Sequence, residues 1–167
     1  MIDGAPPFPD DVPATQAASV RLAIVASRWN AEVTDALLAG AEAAARRRGA
    51  PKPVISRVPG AYELPVVAAG WARSGRVDAV VCLGVVIRGD TPHFDFVAGP
   101  VAHSLQAVAV ETGVPVSFGV LTCNTLEQAQ ERAGGRVGNK GEEAVLAAVE
   151  TVVVLRRLQV QSTDEHD

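Results

Sequence analysis

The sequence predicts an α/β domain, a four-stranded parallel sheet with helices on both faces. Three observations predict it. Short apolar runs at residues 21–27, 53–58, 78–83 and 116–121 alternate with segments whose apolar residues recur at helical spacing. The third run, Asp78-Ala79-Val80-Val81-Cys82-Leu83, is apolar without alternation, as expected of a parallel strand covered on both faces. The apolar content, 48% of 167 residues with only 4% aromatic, is mostly Ala and Val, small enough for helices to lie close on a sheet.

In chain order, residues 1–19 carry Pro6, Pro7, Pro9 and Pro13 and read as a non-helical arm, loose or pairing with a neighbouring copy. The first strand, 21–27, turns at Arg28-Trp29-Asn30, with Asn30 as the helix N-cap. Val33, Leu37, Leu38, Ala41 and Ala45 mark the face of a helix that stops at Gly49, with Pro51 just beyond. After the second strand, Pro65 suits the first turn of a helix running to about Ser74-Gly75. The third strand leads through Gly84-Val85-Val86-Ile87-Arg88-Gly89-Asp90-Thr91-Pro92-His93-Phe94 into a helix marked by Val97, Val101, Leu105 and Val108. Pro100 inside it removes a bond to the carbonyl of Phe96, so a kink or a late start is expected. The fourth strand precedes Thr125-Leu126-Glu127-Gln128, which has capping-box form and opens a short helix ending near Gly134-Gly135. The last helix spans 140–158 and a polar tail spans 159–167, leaving 20–158 as a single domain. Val145, Leu146, Val149, Val152, Val153 and Val154 make that helix apolar nearly all round, which predicts an oligomer contact.

Composition excludes several classes. Charged residues at 20% and abundant apolar ones exclude a disordered chain. A net charge of −4 provides no footprint for nucleic acid, and Arg46-Arg47-Arg48 at a helix end complements the macrodipole. No basic segment followed by an apolar run marks a signal peptide, and the apolar run at 144–155, broken by Glu150 and Thr151, is too short to span a bilayer. Cys82 and Cys123 have no CxxC or zinc spacing; Cys82 reads as a core residue, and Cys123 either packs in the core or approaches a site. Both fit a reduced, cytoplasmic setting.

Ligands of open α/β sheets sit at the carboxyl ends of the strands, and four such ends deliver unusual residues here. Trp29 follows the first strand in a polar turn, either a core or interface residue or a face on which a planar ring stacks. Glu63 serves either the helix dipole or a ligand hydroxyl. Gly89, Asp90 and Thr91 can offer backbone N–H groups and a hydroxyl to an anion at a helix start. Asp90, an acid in such a site, needs to point away or be offset by Arg88 or Arg132. His93, in a Gly/Thr/Pro loop, is suited to carry protons near neutral pH, whereas His103 and His166 receive no role. The spacing matches neither a Walker loop nor GxGxxG, which disfavours nucleotide cofactors.

The combination is more specific than its parts. Pro59-Gly60-Ala61-Tyr62-Glu63-Leu64-Pro65, the Gly84–Phe94 stretch, Phe118-Gly119-Val120-Leu121-Thr122, Glu127-Gln128-Ala129 through Glu131-Arg132-Ala133-Gly134, and Gly138-Asn139-Lys140-Gly141 stand in the same order as in the lumazine synthase family. The resemblance covers residues 20–158 and implies a flavodoxin-like three-layer sandwich. Two departures are Cys123, where the family often has threonine, and Pro100 in a helix.

The resemblance implies condensation of 5-amino-6-ribitylamino-uracil with 3,4-dihydroxy-2-butanone 4-phosphate to 6,7-dimethyl-8-ribityllumazine, the penultimate step of riboflavin biosynthesis, with no cofactor or metal. It implies that Trp29 stacks on the pyrimidine, Ala61 and Glu63 hold the ribityl chain, and Val86 and Ile87 supply backbone contacts to the heterocycle. Gly89, Asp90, Thr91 and Arg132 would hold the phosphate, His93 would shuttle protons, and Lys140 would stand near the site. Phe118 and Arg132 would come from an adjacent subunit of a homo-pentamer. The short 134–141 link is similar to that of members that build icosahedral shells, and riboflavin synthase is then a candidate partner. Two alternatives stand beside this reading: a relative of archaeal-type riboflavin synthase, and a flavin-binding or shell-forming homologue without activity.

Overall fold

In the computed structural model, which describes residues 13–164, the chain runs α1 (Ala14–Ala17), β1 (Leu22–Ser27), α2 (Ala31–Arg47), β2 (Val54–Val58), a 3₁₀ turn (Ala61–Glu63), α3 (Leu64–Arg73), β3 (Ala79–Ile87), α4 (His93–Thr112), β4 (Val116–Cys123), α5 (Leu126–Arg132), β5 (Ala133–Gly135), β6 (Gly138–Asn139) and α6 (Lys140–Asp164). The main sheet is parallel throughout, in the order β2-β1-β3-β4. Every residue of β1 is buried, because alternate side chains enter two different cores. Leu22, Ile24 and Ala26 pack with α2 and α6, while Ala23 and Val25 pack with α3 and α4. This is the expected three-layer, flavodoxin-like α/β sandwich. Among the described residues no helix is long and apolar enough to cross a membrane.

The layer of α2 and α6 is drawn tight by one glycine. A Cβ on Gly141 would collide with the carbonyl of Leu37, so no other residue lets the start of α6 lie on α2. Asn139 ties the same crossing. Its Nδ2 donates to the Ala36 carbonyl at 2.9 Å, and its Oδ1 accepts from the N–H groups of Gly141 (2.9 Å) and Glu142 (3.2 Å). Asn139 therefore caps α6 and clamps it to α2 together.

At the amino ends of the strands, the Arg21 N–H donates to Asp78 Oδ2 at 2.7 Å, and its guanidinium donates to both carboxylate oxygens at 3.1 and 2.9 Å. Arg156 of α6 approaches the same carboxylate at 3.4 Å and donates to Ser19 Oγ at 2.7 Å. Burial by itself would push the Asp78 carboxyl up; the hydrogen bonds from Arg21 and the charges of Arg21 and Arg156 outweigh it and hold the group below its ordinary value.

Several expectations need correction. The arm was expected to lack helix, but Ala14–Ala17 forms one turn, with the Pro13 carbonyl accepting from Gln16 and Ala17; proline is tolerated where a helix begins. Residues 1–12 of that arm lie outside the described residues. Asn30 stands at the N-cap of α2, but with φ 55° and no side-chain cap bond: it makes the left-handed turn, and its carbonyl accepts from Val33 and Thr34. The helix of Pro100 starts at His93 and runs unbroken to Thr112. Pro100 and Phe96 both face solvent, so water can take the freed carbonyl. The third and fourth strands reach Ile87 and Cys123, beyond the expected ends, because they pair in register to the last residue. The last helix runs past Leu158 to Asp164. Its apolar surface is mostly internal, with Val145, Val149, Val152 and Val153 buried in this chain's own core and Val154 exposed.

Candidate active site

The carboxyl ends of β1, β2 and β3 form one edge. The turn after β1 is stapled to the loop after β2: Arg28 N–H donates to the Val58 carbonyl at 2.8 Å, and Trp29 N–H to that of Pro59 at 3.1 Å. These bonds hold Trp29 out of the core, 70% exposed, with its ring beside Gly60. A core role for Trp29 is thereby excluded, and its indole face is free for a partner. Glu63 is half-buried and accepts from the Gly60 N–H at 2.8 Å through Oε2. The local backbone thus takes one carboxylate oxygen and leaves the other without a partner among the described residues. Ala61 is buried beside it, over Gly84, where a Cβ would already be tight against Leu64 and the Ser27 hydroxyl at 3.2 and 3.3 Å.

Val86 and Ile87 are the last residues of β3, half-buried and paired with Thr122 and Cys123. The anion loop is therefore shorter than the sequence suggested, residues 88–92, and His93 is the first residue of α4. Gly89, Asp90, Thr91, Pro92 and His93 are all exposed. The Arg88 N–H donates to the Cys123 carbonyl at 2.9 Å, tying the loop to the neighbouring strand. The Arg88 side chain does not offset Asp90, as the sequence had suggested. It pairs with Asp95 at 3.2 Å, and its guanidinium lies 4.1 Å from the centre of the Phe94 ring.

Phe118, Arg132 and Lys140 stand elsewhere. They line a groove of about 430 Å³ beside the free edge of β4, together with Ser117, Cys123 and Glu143, and none of the first group lines it. Phe118 pairs with Cys82, whereas the last pair of the two strands is Ile87 with Cys123, so Phe118 lies five residues behind the strand ends, roughly 17 Å along the strand. Arg132 donates to the Gln128 carbonyl at 3.0 Å, closing α5, and Lys140 pairs with Glu143 at 2.7 Å. Burial pushes the Cys123 thiol up, against the pull of the Arg132 charge. Cys82 is buried in β3 with its thiol pushed up to about 12, and both cysteines are free.

Sequence reasoning missed Asp95 and Glu143. Both carried a signal: an acid in the first turn of a helix, within reach of a cation one or two turns away.

A family model for 6,7-dimethyl-8-ribityllumazine synthase matches residues 19–156. The 6,7-dimethyl-8-ribityllumazine synthase of Frankia casuarinae is 58% identical over 146 residues, 86% of this chain and 90% of that protein. Those of Kineococcus radiotolerans and Thermus thermophilus are 54% identical over 156 residues and 53% over 148, covering 92% and 87% of this chain and 93% and 94% of theirs. With this sheet, this strand-end loop and these similarities, the chain belongs to the 6,7-dimethyl-8-ribityllumazine synthase family.

Proposed function

We propose that the protein condenses 5-amino-6-ribitylamino-uracil with 3,4-dihydroxy-2-butanone 4-phosphate to give 6,7-dimethyl-8-ribityllumazine, phosphate and water, within riboflavin biosynthesis. The observation that carries the reading is the gathering of Trp29, Ala61, Glu63, Val86, Ile87, loop residues 89–92 and His93 at one end of the sheet, in a chain of this family. The exposed indole of Trp29 offers a stacking face to the pyrimidine. The Glu63 oxygen that has no partner among the described residues accepts from a ribityl hydroxyl, and the buried methyl of Ala61 borders the chain. The backbone at Val86 and Ile87 borders the heterocycle. Gly89, Asp90 and Thr91 cradle the phosphate through backbone N–H groups and the Thr91 hydroxyl.

In the reaction the amine adds to the ketone and loses water to form an imine, phosphate leaves by elimination to give an enol that tautomerises to a ketone, and the ribitylamino nitrogen attacks that carbonyl and closes the ring with loss of a second water. Every step moves a proton, and His93 at the rim of the loop is the group to carry it. Holding two substrates in reach supplies much of the acceleration. Arg132 stabilises the departing phosphate through charge-assisted hydrogen bonds, and Lys140 stands beside it.

The site is completed by a second copy. Phe118 and Arg132 line a separate groove in their own chain, and Phe118 sits too far back along β4 to cover its own loop. A pentamer, presenting this groove to the strand ends of the next copy, joins the halves; twelve pentamers in a shell are a further state that light scattering separates from it. Two buried free thiols fit a cytoplasmic setting.

The test of the reaction is to mix the purified chain with the two substrates and follow lumazine absorbance and fluorescence. Product well above the uncatalysed background is expected; ligand binding without product would leave a non-catalytic homologue. The shared site has its own test. His93→Ala and Arg132→Ala chains, unfolded and reassembled together, should regain activity at roughly a quarter of the sites, because random pairing restores both residues at that fraction. Activity no higher than the two variants separately would place both residues in one chain's site.

A further inference from the structure

We infer that Arg88 is a positioning residue for the anion loop, acting through Asp95 and Phe94, rather than the counter-charge that meets the phosphate. This rests on the reaction proposed above and deepens it, by saying what holds the phosphate cradle in shape.

The loop is thinly tethered. At one end the Arg88 N–H is bonded to Cys123; at the other, Asp95 N–H donates to the Pro92 carbonyl at 3.0 Å. Between them Gly89, Asp90, Thr91 and Pro92 are exposed, and a Cβ on Gly89 would meet nothing within 4 Å. The Arg88 side chain supplies the missing brace. It crosses from the first residue of the loop to the first turn of α4, where Nη2 donates to Asp95 Oδ1 at 3.2 Å and Nη1 to Oδ2 at 3.5 Å. The two prongs of the fork meet the two oxygens of one carboxylate, an arrangement that fixes direction as well as distance. The guanidinium also lies over the Phe94 ring, a second contact on the same helix turn.

The clasp thus closes over the exposed stretch 89–91, beyond which the Pro92 carbonyl is held by the Asp95 N–H. Backbone N–H groups bind an anion well only when they already converge, since ordering them at the moment of binding draws on the affinity. The guanidinium has both prongs committed to Asp95 and one face on Phe94. Its contribution to phosphate binding therefore runs through loop shape. Both partners are largely exposed, 44% for Arg88 and 64% for Asp95, so opening the clasp should leave the fold intact.

The two roles part on Asp95. If Arg88 were the counter-charge, removing Asp95 would free it and leave phosphate binding unchanged or tighter. If the clasp shapes the loop, Asp95→Ala and Arg88→Ala should each weaken binding by about tenfold, and the double variant should be no worse than either alone. The probe is inorganic phosphate, titrated by calorimetry into the intact assembled protein and each variant, with circular dichroism to check folding. In turnover the same variants should raise KM for the phosphate-bearing substrate, with KM for the pyrimidine unchanged. Arg88→Lys, keeping the charge and losing the fork, should resemble Arg88→Ala, and the exchange of Arg88→Asp with Asp95→Arg should restore part of the affinity. Rescue by Lys, unchanged or tighter binding in Asp95→Ala, additive losses in the double variant, or no phosphate binding by the wild-type chain would each overturn the inference. The proposed reaction fails separately: wild-type protein that binds phosphate with the expected clasp dependence but forms no lumazine leaves the clasp standing and removes the reaction.

Discussion

The two ends of the central sheet are built on opposite rules. At the amino end Asp78 is met by the backbone and side chain of Arg21 and by Arg156, and Arg156 reaches on to Ser19. Polar groups there satisfy one another and are spent on holding β1, β3 and α6 together. At the carboxyl end Trp29, Thr91 and His93 project into solvent, and among the described residues one oxygen of Glu63 and the buried hydroxyl of Ser27 have no partner. Strand direction imposes this division, because in a parallel sheet every crossover returns to the same end, and the short loops leaving the strands collect at the other. One end can be saturated for stability while the other stays unsaturated for ligands.

The largest effect should come from the open end. His93→Ala is expected to lower turnover by about 100- to 10,000-fold while the melting temperature stays put, since the residue is exposed. Steady-state kinetics and a thermal melt check both halves, and an unchanged kcat would refute the proton role. Next comes the closed end: Asp78→Ala strands Arg21 and should cost about 1–3 kcal/mol, seen as a lower melting temperature at fixed protein concentration, with kcat of the folded protein retained. A large kcat loss there would mean that the two ends are not separable.

The same carboxylate makes a pH prediction. Its folded pKa lies below the unfolded value, so its contribution is complete above about pH 4, the ordinary aspartate range, and is lost as pH falls through the folded value. Denaturation midpoints between neutral pH and strong acid should fall less steeply for Asp78→Asn than for wild type; parallel curves would remove Asp78 from the acid limb. The smallest effect is expected at Ser27. Its hydroxyl is fully buried and unpaired among the described residues, so Ser27→Ala should leave stability within about 0.5 kcal/mol or raise it. A loss beyond 1 kcal/mol would reveal a bond that this geometry lacks.

Most of the frame was legible in the sequence because it depends on local pattern. The continuous Val and Ala run of β3 requires cover on both faces, and the spacing of Val33, Leu37 and Ala41 requires a helix on one of them. Alternation of the two dictates parallel strands, and so names the end where Gly89, Thr91 and His93 must gather. Thr125 caps α5 as its motif predicts, accepting from the Gln128 N–H at 3.3 Å. What tertiary structure alone decided concerns partners distant in sequence. That Asp95, and not Asp90, receives Arg88 depends on how α4 leaves the sheet. Whether α6 shows its valines to solvent depends on α2, which covers them because Gly141 lets the two backbones touch. The separation of Phe118 from Val86 is a matter of strand register, which no local pattern records. Local propensity writes the elements and the end at which they present their residues; long-range packing chooses which charges meet, and sets Phe118 and Arg132 apart from the strand-end residues.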